Sequence, residues 1–395
     1  MPSQDLRQWI NEANAIGELT VIEGADTNME IGTLSQVVAR NQGPAVLHDR
    51  IKGYPAGFRV LTNSMSNIKT FNLTFGVPLD CAIKERVEIL RTRITDWERN
   101  ACSFPPKVVD KAPILENVVE GEKINLNIFP VPVWHELDGG PYIGTADSVI
   151  TRDPDTGQVN YGTYRSQLFD GQSVGMMVTH GHHGRLHRDK YFDRGEPCPV
   201  AMVFGHAPLF FGISAVAIPE KICELNYIGS IIGEPVEVIQ GRVTGLPIPA
   251  NAEIAVEGFV DPGETKKEGR FGEWQGYYAG SVTDQPFLKP TALYYRNNPI
   301  LLGAPPAKGI WNDSHILRSV LSSALLHNEI VTSGVPGVKG LAILRHDLGK
   351  CLALPRPVVD FNDALVHSRR ESSAVSDDLG GLHRHSERAL LQTGI

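Results

Sequence analysis

Two carboxylates flank a short glycine-containing loop in the second half of the chain. Glu268 and Glu273 enclose the sequence Gly-Arg-Phe-Gly, and glycines at both ends give the loop freedom to fold both acids into one cleft. Beside an arginine, such a pair can divide into an ionised carboxylate that binds the guanidinium and a protonated one held against apolar surface, such as Phe271 or Trp274. The pattern predicts an orienting ion pair and a proton donor; an exposed charged loop is the alternative.

An arginine that suits this pair lies earlier, in Asn160-Tyr-Gly-Thr-Tyr-Arg165. An arginine in an otherwise uncharged strand needs a carboxylate or an anion, because an unpaired buried charge is costly. Side chains alternate along a strand, so Asn160 and Arg165 should face opposite sides, and a ligand touching both must approach the edge or end of the strand. Gly162 would allow that approach. A barrel strand whose arginine pairs across the sheet is the alternative.

A group of histidines follows the same strand. No cysteine, aspartate or glutamate completes a familiar zinc spacing near them. One asparagine oxygen, one histidine and one glutamate would instead suit Mn²⁺ or Mg²⁺ that also holds a phosphate. Glu224, in Cys223-Glu-Leu-Asn-Tyr227, is a candidate for the carboxylate, although alone it would be interpreted as a solvated helix residue. The histidines are His180, His182, His183 and His187.

The composition is that of a globular protein with a small-molecule partner. A chain of 395 residues should form two or three domains. Its net charge of −8 argues against a nucleic-acid partner. No apolar run approaches the roughly 20 residues needed to span a bilayer, and the start of the chain does not resemble a signal peptide, so we expect a cytoplasmic location. The five cysteines are widely spaced without a C-x-x-C, which predicts reduced thiols.

The first elements of the chain alternate between helix and strand. Apolar periodicity predicts helices over 3–14, 31–39 and 83–97, the first behind a Ser3 cap, and strands over 19–22, 45–47 and 59–61. This pattern indicates an α/β domain. Proline-rich sequence from Phe104 to Pro113 breaks it, which places the first domain boundary near residue 115.

Beyond residue 115 the pattern changes to strands separated by turns, which indicates an antiparallel sheet or barrel. Helices are predicted over 185–191 and 314–331, and residues 356–395 carry so little apolar periodicity that we expect weak order. The predicted strands are 145–151, 159–168, 173–179, 200–204, 236–239, 254–258, 290–295 and 300–302.

Taken together, these motifs resemble those of the UbiD family of decarboxylases, which use prenylated FMN. The resemblance covers roughly residues 5–340 and fades after Gly337-Val-Lys-Gly340. The motifs, in the family's order, are Asn160-x-x-x-Tyr-Arg165, His183, Glu224-Leu-x-Tyr-x-Gly229, Gly233-Glu-Pro-Val-Glu-Val238, Pro249-Ala-Asn-Ala-Glu-Ile254 and Glu268-Gly-x-Phe-Gly-Glu273.

The resemblance implies a mixed α/β (α+β) fold in three parts. These are an N-terminal α/β domain (1–115), a central split β-barrel like that of flavin reductases (116–310), and a C-terminal α/β region (311–395), shortened or divergent, of a kind used in oligomerisation. It also implies a homodimer or higher homo-oligomer and a flavin prenyltransferase as cofactor supplier.

The resemblance also assigns roles to the residues. Arg165, Glu268 and Glu273 match the family's catalytic set, with Glu273 as the proton donor. Mn²⁺ would be held against the cofactor phosphate by Asn160, His183 and Glu224, with K⁺ nearby. The residues implied to contact the prenylated flavin are Thr163, Tyr164, Arg165, His182 and His183.

The expected function is the non-oxidative, reversible decarboxylation of an aromatic or α,β-unsaturated carboxylic acid. Loss of CO₂ from an sp² carbon needs an electron sink, which the cofactor provides, and a carboxylic acid that then protonates carbon. One alternative is a catalytically silent flavin-binding paralogue, which the divergent C-terminal region would favour. Another is a zinc hydrolase built on the histidines.

Overall fold

The structure is a computed structural model that describes residues 2–219, 221–273, 276–278, 281–307, 312–334, 343–345 and 351–353. Its α-helices are α1 (Leu6–Ala15), α2 (Glu30–Arg40), α3 (Ile68–Phe75), α4 (Ile83–Asn100), α5 (His183–Asp193), α6 (Pro208–Ser214), α7 (Glu224–Ile232) and α8 (Asp313–Thr332). Its strands are β1 (Leu19–Glu23), β2 (Ala45–Asp49), β3 (Arg59–Thr62), β4 (Lys107–Val108), β5 (Asn117–Glu120), β6 (Tyr142–Gly144), β7 (Ser148–Arg152), β8 (Val159–Gly162), β9 (Ser166–Asp170), β10 (Ser173–Gly175), β11 (Cys198–Phe204), β12 (Glu237–Gln240), β13 (Pro247–Pro249), β14 (Ile254–Val260), β15 (Lys266–Glu268), β16 (Thr283–Gln285), β17 (Phe287–Tyr295), β18 (Ile300–Gly303), β19 (Ile343–Arg345) and β20 (Cys351–Ala353).

The first sheet has the order β1-β2-β3-β18 and mixes parallel and antiparallel pairs. Helix α1 contributes its buried face, which includes Leu6 and Trp9, to the core beside this sheet. Its N-terminus is capped by Asp5, whose carboxylate accepts from the N–H of Arg7, so the predicted Ser3 cap was wrong.

The assignment of 300–302 to the barrel was also wrong, because β18 pairs in parallel with β3 of the first sheet. Every residue of β18 is buried. A short apolar run of this kind has no alternation that would tell which sheet it joins. The chain therefore returns to the first sheet after the barrel. The predicted domain boundaries near 115 and 310 stay predictions.

The second sheet is antiparallel throughout and holds nine strands, in the order β6-β9-β10-β17-β14-β11-β7-β8 with β5 beside β17. Its central strands are buried on both faces. Along β11, Val200 and Met202 enter one core, whereas Ala201 and Val203 enter the other, which also contains residues of α6 and α7. Because side chains alternate along a strand, one face of β11 packs against the core that contains α6 and α7, and the opposite face packs against the other core.

The two ends of this sheet meet at a seam. Strand β8 ends the order on one side and β9 lies next to the other end, yet only residues 163–165, which we call the seam linker, join them. The four steps from Gly162 to Ser166 span at most about 14 Å, so the sheet must curl until its edges approach each other. The continuous strand predicted over 159–168 was wrong because the chain changes edges at the seam.

Three small sheets and the last helix complete the described chain. The small sheets are β13-β12-β4, β15-β16 and β19-β20. Helix α8 packs against α4, and the carboxylate of Asp313 in its first turn accepts from the N–H of Met65, which anchors it to the N-terminal part. Residues 356–395, for which weak order was predicted, lie outside the described residues. Among the described helices, we find none with the length and apolar character of a membrane span.

A buried carboxylate connects the N-terminal helix with both large sheets. The side chain of Glu253 is fully buried. It accepts from Arg7 at 2.8 and 2.9 Å, from Arg296 at 3.2 Å and from the N–H of Ile300 at 3.2 Å. Because these donors come from α1, the end of β17 and β18, one carboxylate holds three elements together.

The substitution Glu253→Gln should lower the free energy of unfolding by about 3 kcal/mol or more, since breaking a buried ion pair leaves buried charge uncompensated. Chemical denaturation measures the change. As a control, Asp96→Asn removes an exposed i,i+3 pair with Arg99 and should cost less than about 1 kcal/mol. Equal stability of Glu253→Gln and the unmodified protein would contradict the assignment.

Candidate active site

Arg165 lies between the two carboxylates of the glycine-containing loop. Its Nε and Nη2 donate to the two oxygens of Glu268 at 2.8 and 3.3 Å, and its Nη1 donates to Glu273 Oε1 at 3.0 Å. Glu268 is almost fully buried, whereas Glu273 keeps partial access to solvent. The ring of Phe271 lies 5.5 Å from the guanidinium. Trp274 lies outside the described residues.

The two carboxylates sit in different environments. Glu268 binds the guanidinium through both oxygens, which is the stronger geometry for an arginine–carboxylate pair. Burial raises the pKa of Glu273, and the neighbouring Glu268 adds to the rise, although Arg165 and Arg318 oppose it. Burial also disfavours the charge on Arg165, but the Glu268 carboxylate outweighs it, so the pKa of Arg165 is raised. Glu268 is therefore placed to orient the guanidinium, while burial biases Glu273 towards its neutral form.

Asn160, His183 and Glu224 line one cavity of about 330 Å³. They come from three elements: Asn160 from β8, His183 from the start of α5 and Glu224 from the start of α7. Glu224 Oε2 accepts from the N–H of Tyr161 at 3.0 Å, and burial raises the pKa of Glu224 to about 7. A carboxylate that burial disfavours in its charged form fits a place where a cation would stabilise it.

Tyr164 joins β8 to the N-terminus of α5. Its hydroxyl accepts from the N–H of Gly184 at 3.2 Å and lies 3.4 Å from Asn160 Nδ2. Its ring is packed so closely against Gly162 and Gly184 that a Cβ on either glycine would lie 2.6 Å from it. The N-terminus of α5, where the helix dipole favours an anion, therefore stands beside the same cavity, an arrangement suited to a phosphate.

The histidines do not gather around one point. His180 and His182 are exposed, His183 is half-buried at the cavity, and His187 is buried against Thr151. Within the part of the chain that the structure describes, no three His, Cys, Asp or Glu side chains are grouped to hold a metal ion. The described residues therefore do not form the zinc site that the hydrolase alternative requires. The set of Asn160, His183 and Glu224 is of a different kind, because one of its three donors is an amide oxygen.

The seam linker lies between two groups of predicted residues. Asn160, His183 and Glu224 lie at its β8 end, whereas Arg165, its last residue, binds Glu268 and Glu273 at its β9 end. The predicted opposite facing of Asn160 and Arg165 does not apply, because the strand ends at Gly162. Within the linker, Thr163 donates from its hydroxyl to the carbonyl of Asp147 and from its N–H to that of Ser214.

Sequence reasoning missed Asp147, which holds both ends of the seam linker. Its carbonyl accepts from Thr163, and its carboxyl Oδ2 accepts from the hydroxyl of Ser166 at 3.1 Å. Asp147 Oδ1 has no hydrogen-bond partner among the described residues. Burial raises the pKa of Asp147 to about 8. The available signal was an aspartate inside the apolar run Thr145-Ala-Asp-Ser-Val-Ile150, where a charged residue needs an explanation.

Comparisons with known proteins agree with this architecture. Residues 107–309 match the family model UbiD, described as a 3-octaprenyl-4-hydroxybenzoate carboxy-lyase Rift-related domain, and residues 10–90 match the corresponding N-terminal domain model. The pyrrole-2-carboxylic acid decarboxylase of Pseudomonas aeruginosa is 31% identical over 346 residues, which span 84% of this chain and 67% of the relative.

Solved structures show the same fold. The vanillic acid decarboxylase of Sedimentibacter hydroxybenzoicus in its closed form has a TM-score of 0.79 at 27% identity, covering 87% of this chain and 72% of that one. An evolved dimeric form of the UbiD-class enzyme HmfF from Pelotomaculum thermopropionicum, in complex with prenylated FMN, has a TM-score of 0.76 at 26% identity, covering 87% and 76%.

The fold and these matches define a mixed α/β protein with a split barrel, as predicted. The chain belongs to the UbiD family. The predicted enzyme class, a carboxy-lyase, is confirmed. The roles of the individual residues stay predictions.

The raised pKa of Asp147 predicts how the stability of the folded protein depends on pH. Because its folded-state pKa is raised above its ordinary 3.8 to about 8, the neutral acid favours the folded protein. That contribution is complete below pH 4 and is lost as the pH rises to about 8. The melting temperature of Asp147→Asn, relative to the unmodified protein, should therefore rise between pH 4 and 8 and then level off.

Differential scanning fluorimetry across this pH range measures the difference. Asp26→Asn is the control, because Asp26 also accepts from a backbone N–H but is only partly buried, near the surface. A constant difference between Asp147→Asn and the unmodified protein at all pH values would show that folding does not raise the pKa of Asp147.

Proposed function

We propose that this chain catalyses the non-oxidative decarboxylation of an aromatic or α,β-unsaturated carboxylic acid with prenylated FMN as cofactor. The observation that carries the proposal is the position of Arg165, which binds Glu268 and Glu273 together. An arginine, an ionised carboxylate and a carboxyl group with a raised pKa are the parts that a decarboxylase needs to hold a carboxylate substrate and return a proton to carbon.

The substrate class is supported by the relatives and by the surroundings of Arg165. The Pseudomonas aeruginosa relative and the Sedimentibacter hydroxybenzoicus enzyme are both named as decarboxylases of aromatic acids. In this chain, the rings of Tyr142 and Phe271 stand 4.2 Å apart, and Phe271 also faces the guanidinium. Apolar rings beside a fixed cation suit a planar acid whose carboxylate is its only charged group.

The cofactor assignment is supported by the HmfF structure, which contains prenylated FMN. Thr163, Tyr164, Arg165, His182 and His183 would contact the cofactor. When bound, prenylated FMN supplies the electron sink that the substrate carbon needs once CO₂ leaves.

The residues of this chain would manage the charge and the proton. Arg165, oriented by Glu268, holds the reacting groups in register. Glu273 in its neutral form donates its carboxyl proton to the carbon that has lost CO₂, and its anion is then stabilised by Arg165. In the reverse direction, Glu273 in its anionic form accepts a proton from the same carbon.

Asn160, His183 and Glu224 would hold Mn²⁺ beside the phosphate of the cofactor. An amide oxygen, an imidazole and a carboxylate are donors that Mn²⁺ accepts, and the dipole at the N-terminus of α5 would favour the phosphate. The resemblance extends the proposal to K⁺ nearby. A flavin prenyltransferase would supply the cofactor, and a homodimer or higher oligomer would be the assembled form, as in the dimeric HmfF.

The substitution Glu273→Gln tests the proton donor. Protein made with a flavin prenyltransferase should keep its flavin absorption but lose turnover at least 100-fold, because the amide is isosteric yet cannot donate an acidic proton. CO₂ release with a panel of aromatic and α,β-unsaturated acids measures activity. Glu264→Gln, on an exposed part of the same region, should leave activity unchanged. Full turnover by Glu273→Gln would refute the role.

The substitution Glu224→Gln tests the metal site. It should reduce bound manganese and, with it, the flavin content of the purified protein, since the metal would hold the cofactor phosphate. Elemental analysis and absorption spectra measure both. The exposed Glu234 provides the control as Glu234→Gln. If Glu224→Gln retains full manganese and flavin, the metal lies elsewhere.

A further inference from the structure

The segment from His135 to Gly140, which we call the platform, lies against the loop that carries Glu268 and Glu273. The N–H of Gly139 donates to the carbonyl of Arg270 at 2.8 Å. A Cβ on Gly139 would lie 2.1 Å from the Cα of Gly269. The two backbones are therefore in direct contact, with no room for a side chain between them.

Asp138 binds this loop at the residue before Glu273. The side chain of Asp138 is fully buried. Its Oδ1 accepts from the N–H of Gly272 at 2.8 Å, and its Oδ2 accepts from the N–H of His135 at 2.9 Å. One carboxylate thus connects the backbone that leads directly into Glu273 with the start of the platform.

His135 forms the surface under Gly272. Its Nδ1 lies 3.2 Å from Asp138 Oδ2, and its ring makes an edge contact with Phe271 at 6.1 Å between centroids. A Cβ on Gly272 would lie 2.6 Å from His135 Nδ1. Gly272 therefore has no room for a side chain, and its backbone cannot move closer to His135. This contact fixes the position of the backbone next to Glu273.

The far side of Glu273 is held by the same platform. The N–H of Glu273 donates to the carbonyl of Tyr277 at 3.0 Å. The next residue, Tyr278, pairs with Gly272 in an isolated β-bridge. Its hydroxyl accepts from the N–H of Leu137 at 3.0 Å. The backbone at Glu273 is thus tied to the platform on both sides.

We propose that Asp138, supported by His135, is a positioning residue that sets the place of the Glu273 carboxyl relative to the substrate carbon. This inference rests on the proposed function of Glu273. Arg165 and Glu268 hold the Glu273 side chain by charge, whereas Asp138 holds the peptide from which that side chain extends. A small displacement of a reacting group can cost about 100-fold in rate, so the platform should affect proton transfer more than binding.

The substitution Asp138→Asn is the principal test. An asparagine of the same shape has one accepting oxygen, so it cannot accept from both Gly272 and His135. In protein made with a flavin prenyltransferase, we expect kcat to fall 10- to 100-fold, while KM and the flavin absorption change less than twofold. The solvent deuterium isotope effect on kcat should increase, because protonation of carbon becomes slower relative to the other steps.

Two variants complete the experiment. Asp26→Asn is the matched control, since Asp26 also accepts from a backbone N–H but lies in the N-terminal part, and it should leave kcat unchanged. Tyr278→Phe removes only the hydroxyl that meets Leu137 and should lower kcat about threefold or more without loss of flavin. It keeps the test decisive if Asp138→Asn does not fold.

The outcomes separate the inference from the function on which it rests. The positioning role is overturned if Glu273→Gln is inactive while Asp138→Asn keeps the kcat and isotope effect of the unmodified protein. If Asp138→Asn does not fold, the same result with Tyr278→Phe overturns the role. A fall in flavin content that accounts for the whole loss of activity also overturns it. If Glu273→Gln itself remains active, the proposed function fails instead.

Discussion

A single guanidinium between two carboxylates is the interaction on which the site depends. Arg165 is largely buried and binds Glu268 through both oxygens and Glu273 through one. With only one carboxylate, its charge would be balanced and no acid would be left to donate a proton. With two, the site holds one more acid than it needs to neutralise Arg165, and burial raises the pKa of Glu273, which biases that acid towards its neutral form. The acid–base character of the site therefore follows from the number and burial of its charges.

The seam of the barrel places that interaction next to the cavity. A closed barrel would fill this region with paired backbone, but here β8 and β9 diverge and only the seam linker crosses between them. The cavity residues of β8, α5 and α7 lie on one side, and Arg165 lies on the other. Asp147 and Ser214 fix the linker by accepting hydrogen bonds from Thr163, and Asp147 also accepts one from Ser166. Under the proposed function, the cofactor would lie along the seam, with its phosphate towards Asn160, His183 and Glu224 and its reactive end towards Arg165.

Prediction from the sequence succeeded where a contact follows from the chemical type of a residue. Arg165 in an uncharged strand required a carboxylate, and the structure supplies Glu268 and Glu273. Prediction failed where the role follows from position. The strand over 159–168 is interrupted because the chain changes edges, and β18 joins the first sheet although its apolar run would fit either. Asp138 and Asp147 were overlooked because each binds groups of another segment, Asp138 the N–H of Gly272 and Asp147 the hydroxyls of Thr163 and Ser166. A local sequence pattern does not reveal such contacts.

The sequence by itself determined the family, the mixed α/β architecture and the identity of the charged residues that must find partners, because periodicity and the cost of burying charge act locally along the chain. Only the tertiary structure decided which carboxylate binds Arg165 with both oxygens, where the barrel opens, and how the platform holds the loop before Glu273. Those features depend on contacts between segments more than 100 residues apart, such as Asp138 with Gly272. Their geometry is fixed by the packing of the whole sheet rather than by neighbours in sequence.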